Sequence, residues 1–138
     1  MKYNVYCRVG VSTVNGAGVG LIAIRDIPKG VYPLRVLGSR SGCSSTVKIH
    51  YDDIYSNSGI PKSVLKLVND FMNCDENRMV DFSIMGINQI YLEYFLNHSS
   101  NPNVAFFNGE VKTIRKIKTG QELFVDYGTC FKNDFYRK

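Results

Sequence analysis

The sequence predicts a mainly β fold of several small sheets, interrupted by a helical insertion near residues 45–90. Three observations carry that expectation. Short alternating and β-branched runs, closed off by glycine, proline and asparagine turns, recur along the chain. One run, Pro61 to Met72, carries apolar residues at helical spacing. Asn108-Gly109 joins two strand-like runs in the pattern of a two-residue hairpin turn with both residues at positive φ.

The first third divides into expected strands over Tyr3 to Val11, Gly20 to Ile24 and Val31 to Leu37, with turns at Asn15-Gly16 and Pro28-Lys29-Gly30. Gly38 to Ser45, rich in glycine and serine, reads as a loop. Val64, Leu65, Leu67, Val68 and Phe71 give the helix its apolar face, Ser58 or Gly59 could cap it, and Pro61 suits its first turn. Asn73 to Arg78 is polar and ends the pattern, and a shorter helical turn is expected over Gln89 to Leu96. Val104 to Phe107 and Glu110 to Ile114 form the hairpin arms, Thr119-Gly120 turns the chain, and Glu122 to Val125 is a final strand. This order lacks the strand–helix alternation of a doubly wound sheet. Gly16-Ala17-Gly18-Val19-Gly20 is therefore not a dinucleotide loop, because a strand-like run from Leu21 to Arg25 follows it instead of a helix.

With 138 residues, 44% of them hydrophobic and 21% charged, the chain suits one soluble domain. No run approaches the ~18 apolar residues of a membrane span. Met1-Lys2-Tyr3-Asn4-Val5 has no secretory pattern, so a nuclear or cytoplasmic protein without membrane partners is expected. Cys7, Cys43, Cys74 and Cys130 stand far apart without a C-x-x-C pair, which favours free thiols and no metal site. Part of the net charge of +5 lies in Lys112, Arg115, Lys116 and Lys118 and in Lys132, Arg137 and Lys138. Such a surface suits either nearby nucleic acid or a solvated hairpin face and tail.

Three strings stand out. They are Ser12-Thr13-Val14-Asn15-Gly16-Ala17-Gly18-Val19-Gly20-Leu21-Ile22-Ala23, Asn97-His98-Ser99-Ser100-Asn101-Pro102-Asn103 and Glu122-Leu123-Phe124-Val125-Asp126-Tyr127-Gly128. In this order and spacing they resemble the G-x-G, N-H-S-x-x-P-N and E-L-x-x-D-Y strings of the SET-domain protein lysine methyltransferases. The resemblance implies a single SET domain over residues 1–138, with a C-terminal pseudoknot and a short closing tail over 128–138 in place of a zinc segment. It implies S-adenosylmethionine as cofactor, with Gly18, Val19, Gly20, Asn97, His98 and Phe131 on the cofactor side. Tyr127 matches the catalytic tyrosine, and Val125, Phe135 and Tyr91 would line the substrate channel. The implied substrate is a protein lysine, foremost on a histone tail. The small size resembles the stand-alone SET proteins of large DNA viruses, which pair as homodimers.

The chemistry suits these residue types. Methyl transfer to an amine is an in-line displacement that needs alignment, exclusion of water and a neutral amine more than it needs acid or base groups. A tyrosine hydroxyl and backbone carbonyls align such an amine without adding charge. Each residue also has a plainer role: Tyr127 as a core tyrosine bonded to a carbonyl, His98 as a structural histidine, Gly18 and Gly20 as hairpin glycines, Phe131 and Phe135 as tail packing. Asp126 reads as a turn anchor. The chain departs from the family at Val36-Leu37-Gly38, at Tyr91, at Ser99-Ser100 and at Val125, whose small side chain favours di- or trimethylation. A non-catalytic SET-like interaction module and a methyltransferase of a non-histone protein remain open at this point.

Overall fold

The computed structural model describes residues 5–35, 46–72, 74, 77–83 and 91–130. Val36, the expected loop from Gly38 to Ser45, and the tail with Phe131 and Phe135 lie outside the described residues. Two compact units divide the chain, one built from residues up to 42 and from 95 to 130, the other from the residues between.

In the first unit, β1 (Cys7–Val11) and β2 (Val19–Ala23) form an antiparallel hairpin with Cys7 opposite Ala23 and Val11 opposite Val19. Gly16 (φ 80°) and Gly18 (φ 73°) turn the chain between them in the left-handed region that favours glycine. The other edge of β2 takes the segment before Tyr127: the Ala23 amide donates to the Gln121 carbonyl (2.8 Å), and the Leu123 amide to Leu21 (2.8 Å). β5 (Asn97–His98) runs parallel to β8 (Phe124–Val125). Between them stands the expected hairpin of β6 (Val104–Phe107) and β7 (Glu110–Thr113), with Asn108 (φ 50°) and Gly109 (φ 77°) both left-handed at its tip. The Asn103 side chain completes the lacing. Its Nδ2 donates to the Glu122 carbonyl (2.8 Å) and its Oδ1 accepts from the Phe124 amide (2.7 Å). The two motif strings are thus interlocked, as expected of a C-terminal pseudoknot. Leu21, Ile27, Val104, Ile117, Leu123 and Val125 sit at the centre of the core beneath them.

In the second unit, β3 (Thr46–His50) pairs antiparallel with β4 (Met79–Ser83). The helices α1 (Tyr51–Ser56) and α2 (Lys62–Phe71) lie in the chain between those strands. Ile54, Val68, Met72, Cys74 and Val80 form a separate apolar core. The expected helix is present, but Pro61 itself is the residue that precedes its first turn, with extended backbone (ψ 144°) and no side-chain cap. Pro61 serves through its carbonyl, which accepts from Val64 (2.9 Å) and Leu65 (3.1 Å). A 3₁₀ turn at Leu92–Phe95 occupies the end of the span where a helical turn was expected.

Three differences from the sequence reading have physical causes. Val31 to Arg35 is not a strand: Val31 donates to Thr113 Oγ1 (2.9 Å) and accepts from the Thr113 amide (2.8 Å), and Pro33 has no amide to extend a ladder. The β3–β4 pair is unexpected because its runs mix polar and apolar residues. α1 is unexpected because Ile54 is the one residue it buries, and its start rests on His50 accepting from the Asp52 amide (3.3 Å). Cys7 and Cys74 are both buried. Among the described residues no helix is long and apolar enough to cross a membrane.

Candidate functional site

Glu122 is the hub of the first unit's motif strings. It is 2% exposed, and neutral donors surround its carboxylate. Ser12 Oγ donates to Oε1 (2.9 Å), the Thr13 amide (2.7 Å) and Thr13 Oγ1 (2.6 Å) donate to Oε2, and Asn97 Nδ2 donates to Oε1 (2.8 Å). Burial pushes this carboxyl up, but the Asn97, Thr13 and Ser12 donors outweigh it and hold it below its ordinary value of 4.5. The group is therefore an anion at neutral pH. Asn97 Nδ2 also reaches the Val19 carbonyl (3.0 Å) and Ser12 Oγ (3.1 Å), so all three motif strings meet at one carboxylate.

Gly20 makes this junction possible. A Cβ placed there would lie 2.0 Å from Glu122 Oε1 and 2.9 Å from Asn97 Nδ2. The missing side chain of Gly20 is thus replaced by a carboxylate from across the sheet. Gly18 is different: its φ is 73°, and nothing lies within 4 Å of where a Cβ would stand. Of the two glycines, Gly18 is the one that leaves open space, and the adjacent Val19 is 36% exposed.

The third string ends at α3 (Tyr127–Cys130), a short turn anchored by Asp126, whose Oδ1 accepts from the Gly128 amide (2.9 Å). Asp126 thus does what its sequence position suggested. Tyr127 is half-buried. Its hydroxyl donates to the Leu96 carbonyl (2.8 Å) and its amide donates to His98 Nδ1 (3.1 Å). The His98 ring stands 5.3 Å from the Tyr127 ring at 40°. Because Nδ1 accepts the Tyr127 amide, the neutral imidazole carries its proton on Nε2. The phenol is fixed at both ends: its ring by His98, its hydroxyl by a carbonyl just ahead of Asn97.

The structure therefore brings Gly18, Val19, Gly20, Asn97, His98 and Tyr127 into one unit. Val125 belongs to the same unit but is 2% exposed and part of the core, opposite His98 in the β5–β8 pair. Tyr91 belongs to the second unit, where its ring stands 6.0 Å from Tyr94. Phe131 and Phe135 lie outside the described residues. Sequence reasoning gave Glu122, Ser12 and Thr13 no role of their own. The available signal was a carboxylate opening the third string and two hydroxyl residues opening the first, but the chain separations of 109 and 110 residues hid their contact.

Comparison with known proteins gives a family and a fold. A family model for the SET domain matches residues 18–128. The histone-lysine N-methyltransferase EZH2 of Chaetomium thermophilum is 25% identical over 131 residues, covering 91% of this chain. The chain spans 8% of the length of that relative. Among solved structures, a humanized mutant of the Chaetomium thermophilum Polycomb Repressive Complex 2 bound to the inhibitor GSK126 aligns over 95% of this chain and 16% of that one, with a TM-score of 0.51 and 22% identity. The structure of ctPRC2 in an autoinhibited conformation bound to S-adenosylmethionine aligns over 94% of this chain and 16% of that one, with a TM-score of 0.54 and 22% identity. At that identity the likeness is one of fold.

Proposed function

We propose that this chain, which belongs to the SET-domain family, is an S-adenosylmethionine-dependent protein lysine N-methyltransferase acting on a histone tail. One observation carries the proposal. The Tyr127 hydroxyl is held 2.8 Å from the Leu96 carbonyl, directly ahead of the Asn97–His98 pair. A neutral hydroxyl and a nearby carbonyl, both fixed, are what an amine needs to be aligned without gaining charge. The relative named above as a histone-lysine methyltransferase, and the solved neighbour bound to S-adenosylmethionine, support the reaction class and the cofactor.

The residues present fit that cofactor. The open space at Gly18, at a φ of 73°, is a backbone cradle with no Cβ in the way. Val19 beside it is 36% exposed, and His98 has 48% of its side chain accessible. In this reading Gly18, Val19, Gly20, Asn97 and His98 hold the cofactor, Gly20 through its contact with Glu122. The bound cofactor supplies an electrophilic methyl on a sulfonium. Tyr127 orients the lysine amine. The whole of 1–138 acts as one SET domain, with the residues near 45–90 as its insertion. A nuclear location, a basic face beside nucleosomal DNA and pairing as a homodimer, as in the small viral members, belong to the same proposal.

The test is transfer of labelled methyl from S-adenosylmethionine to a mixed panel of core histones and ribosomal proteins. Label on a histone is expected. Label confined to a ribosomal protein would move the substrate to the non-histone class. Cofactor binding without label on any protein would favour a non-catalytic interaction module.

A further inference from the structure

We infer that the buried Glu122 carboxylate is the counter-charge by which this site prefers a cationic sulfonium ligand to its neutral thioether. The inference deepens the proposed function and rests on its cofactor reading. Glu122 is 2% exposed, and its contacts come from the hydroxyls of Ser12 and Thr13, an amide N–H and the Asn97 carboxamide, all of them neutral. Among the described residues no lysine, arginine or histidine forms an ion pair with it, although exposed pairs such as Lys66–Asp70 and Lys116–Asp26 form elsewhere. Neutral dipoles stabilise an anion without cancelling its net charge. A buried charge of this kind projects a field that water does not screen.

The field points toward the proposed cofactor face. With no side chain at Gly20, the carboxylate fits against the backbone at Gly20, two residues from the open space at Gly18, since a Cβ at Gly20 would lie 2.0 Å from Oε1. A cation seated on that segment is attracted through one layer of backbone. The same geometry bears on turnover. Methyl transfer breaks the sulfur–methyl bond and forms a nitrogen–methyl bond, and the neutral amine nitrogen takes the positive charge before it loses a proton to solvent. The sulfur is left neutral, so the thioether product no longer gains from Glu122 and leaves more readily than the sulfonium would.

The experiment is calorimetric titration of the full chain with three ligands: S-adenosylmethionine, S-adenosylhomocysteine, and the analogue with an ammonium-bearing carbon in place of the sulfonium. At about 10 Å in a protein-like dielectric, one such charge gives the two cations a preference of about tenfold over the thioether. Glu122→Gln keeps the size and removes the charge, but its amide nitrogen must face either the Thr13 N–H or the Asn97 Nδ2 donor, so its effect is read as the ratio of cation to thioether affinity. That ratio should fall by about tenfold in the variant, whatever its common loss of affinity for all three ligands. Equal weakening of all three ligands would show a merely structural role and overturn the inference. A wild-type chain that binds the thioether as tightly as the cations would overturn it too, which keeps the test decisive if Glu122→Gln fails to fold. A wild-type chain that binds none of the three would overturn the cofactor reading itself, and the inference with it.

Discussion

Gly20→Ala probes the junction of the three motif strings with a single methyl group. The new Cβ would meet Glu122 Oε1 at 2.0 Å, Glu122 Cδ at 2.8 Å and Asn97 Nδ2 at 2.9 Å, all far inside contact distance. A carboxylate is the end of a flexible side chain and ordinarily yields at little cost. Here it cannot, because Thr13 holds Oε2 at 2.6 and 2.7 Å while Ser12 and Asn97 hold Oε1 at 2.9 and 2.8 Å. Overpacking alone costs about 1–3 kcal/mol, and a displaced carboxylate loses charge-assisted hydrogen bonds at about 1.5–3 kcal/mol. Part of each is relieved by the other, so the expected loss is about 2–4 kcal/mol. At roughly 4 °C per kcal/mol for a domain of this size, Tm falls by about 8–16 °C. Urea unfolding followed by circular dichroism gives the free energy, and a double-mutant cycle with Glu122→Ala isolates its cause. Once the carboxylate is gone, only the contact with the Asn97 carboxamide remains, so most of the Gly20→Ala cost should vanish. A Gly20→Ala chain as stable as wild type, or one equally damaged in both backgrounds, would refute the reasoning.

Other outcomes follow from the same physics. Because the folded carboxyl of Glu122 lies below its ordinary 4.5, its stabilisation is fully present above about pH 4.5 and is lost as pH falls through the folded value. Acid unfolding should therefore be shallower in Glu122→Gln than in wild type; identical acid limbs would contradict this. Gly109→Ala places a Cβ at φ 77° in the hairpin tip and should cost about 1–2 kcal/mol in urea unfolding, with no clash to relieve. Burial pushes the Cys7 thiol up to about 11. Alkylation at pH 8 read by mass spectrometry should then mark Cys7 only after denaturant is added, and prompt native labelling would count against that burial. Ile54→Ala, at a residue 4% exposed in the core of the second unit, should cost about 2–4 kcal/mol by thermal melting.

The parts of the fold that sequence reasoning captured are those that local chemistry determines. Asn108-Gly109 can hardly be anything but a left-handed turn, and Val64, Leu65 and Val68 show their helical face without help from the rest of the chain. The motif strings singled out Tyr127 and the Asn97–His98 pair, and the structure holds them in one unit. What was not legible depends on distant partners. Val31 looks like a strand residue by type, yet its main-chain bonds go to Thr113, 82 residues away. Gly20 looked like a cradle for a ligand, and its nearest occupant is a carboxylate from residue 122. The run Tyr51-Asp52-Asp53-Ile54-Tyr55-Ser56 buries one residue, too few to write a period into the sequence.

The central claim, that Tyr127 serves methyl transfer to a lysine, is tested most directly by single-turnover transfer of labelled methyl from S-adenosylmethionine by wild type and Tyr127→Phe, with cofactor binding titrated on both. The account predicts labelled lysine from wild type, cofactor affinity within about twofold in the variant, and a transfer rate lower by about 10²–10³. A Tyr127→Phe chain that binds the cofactor and transfers at the wild-type rate would contradict it.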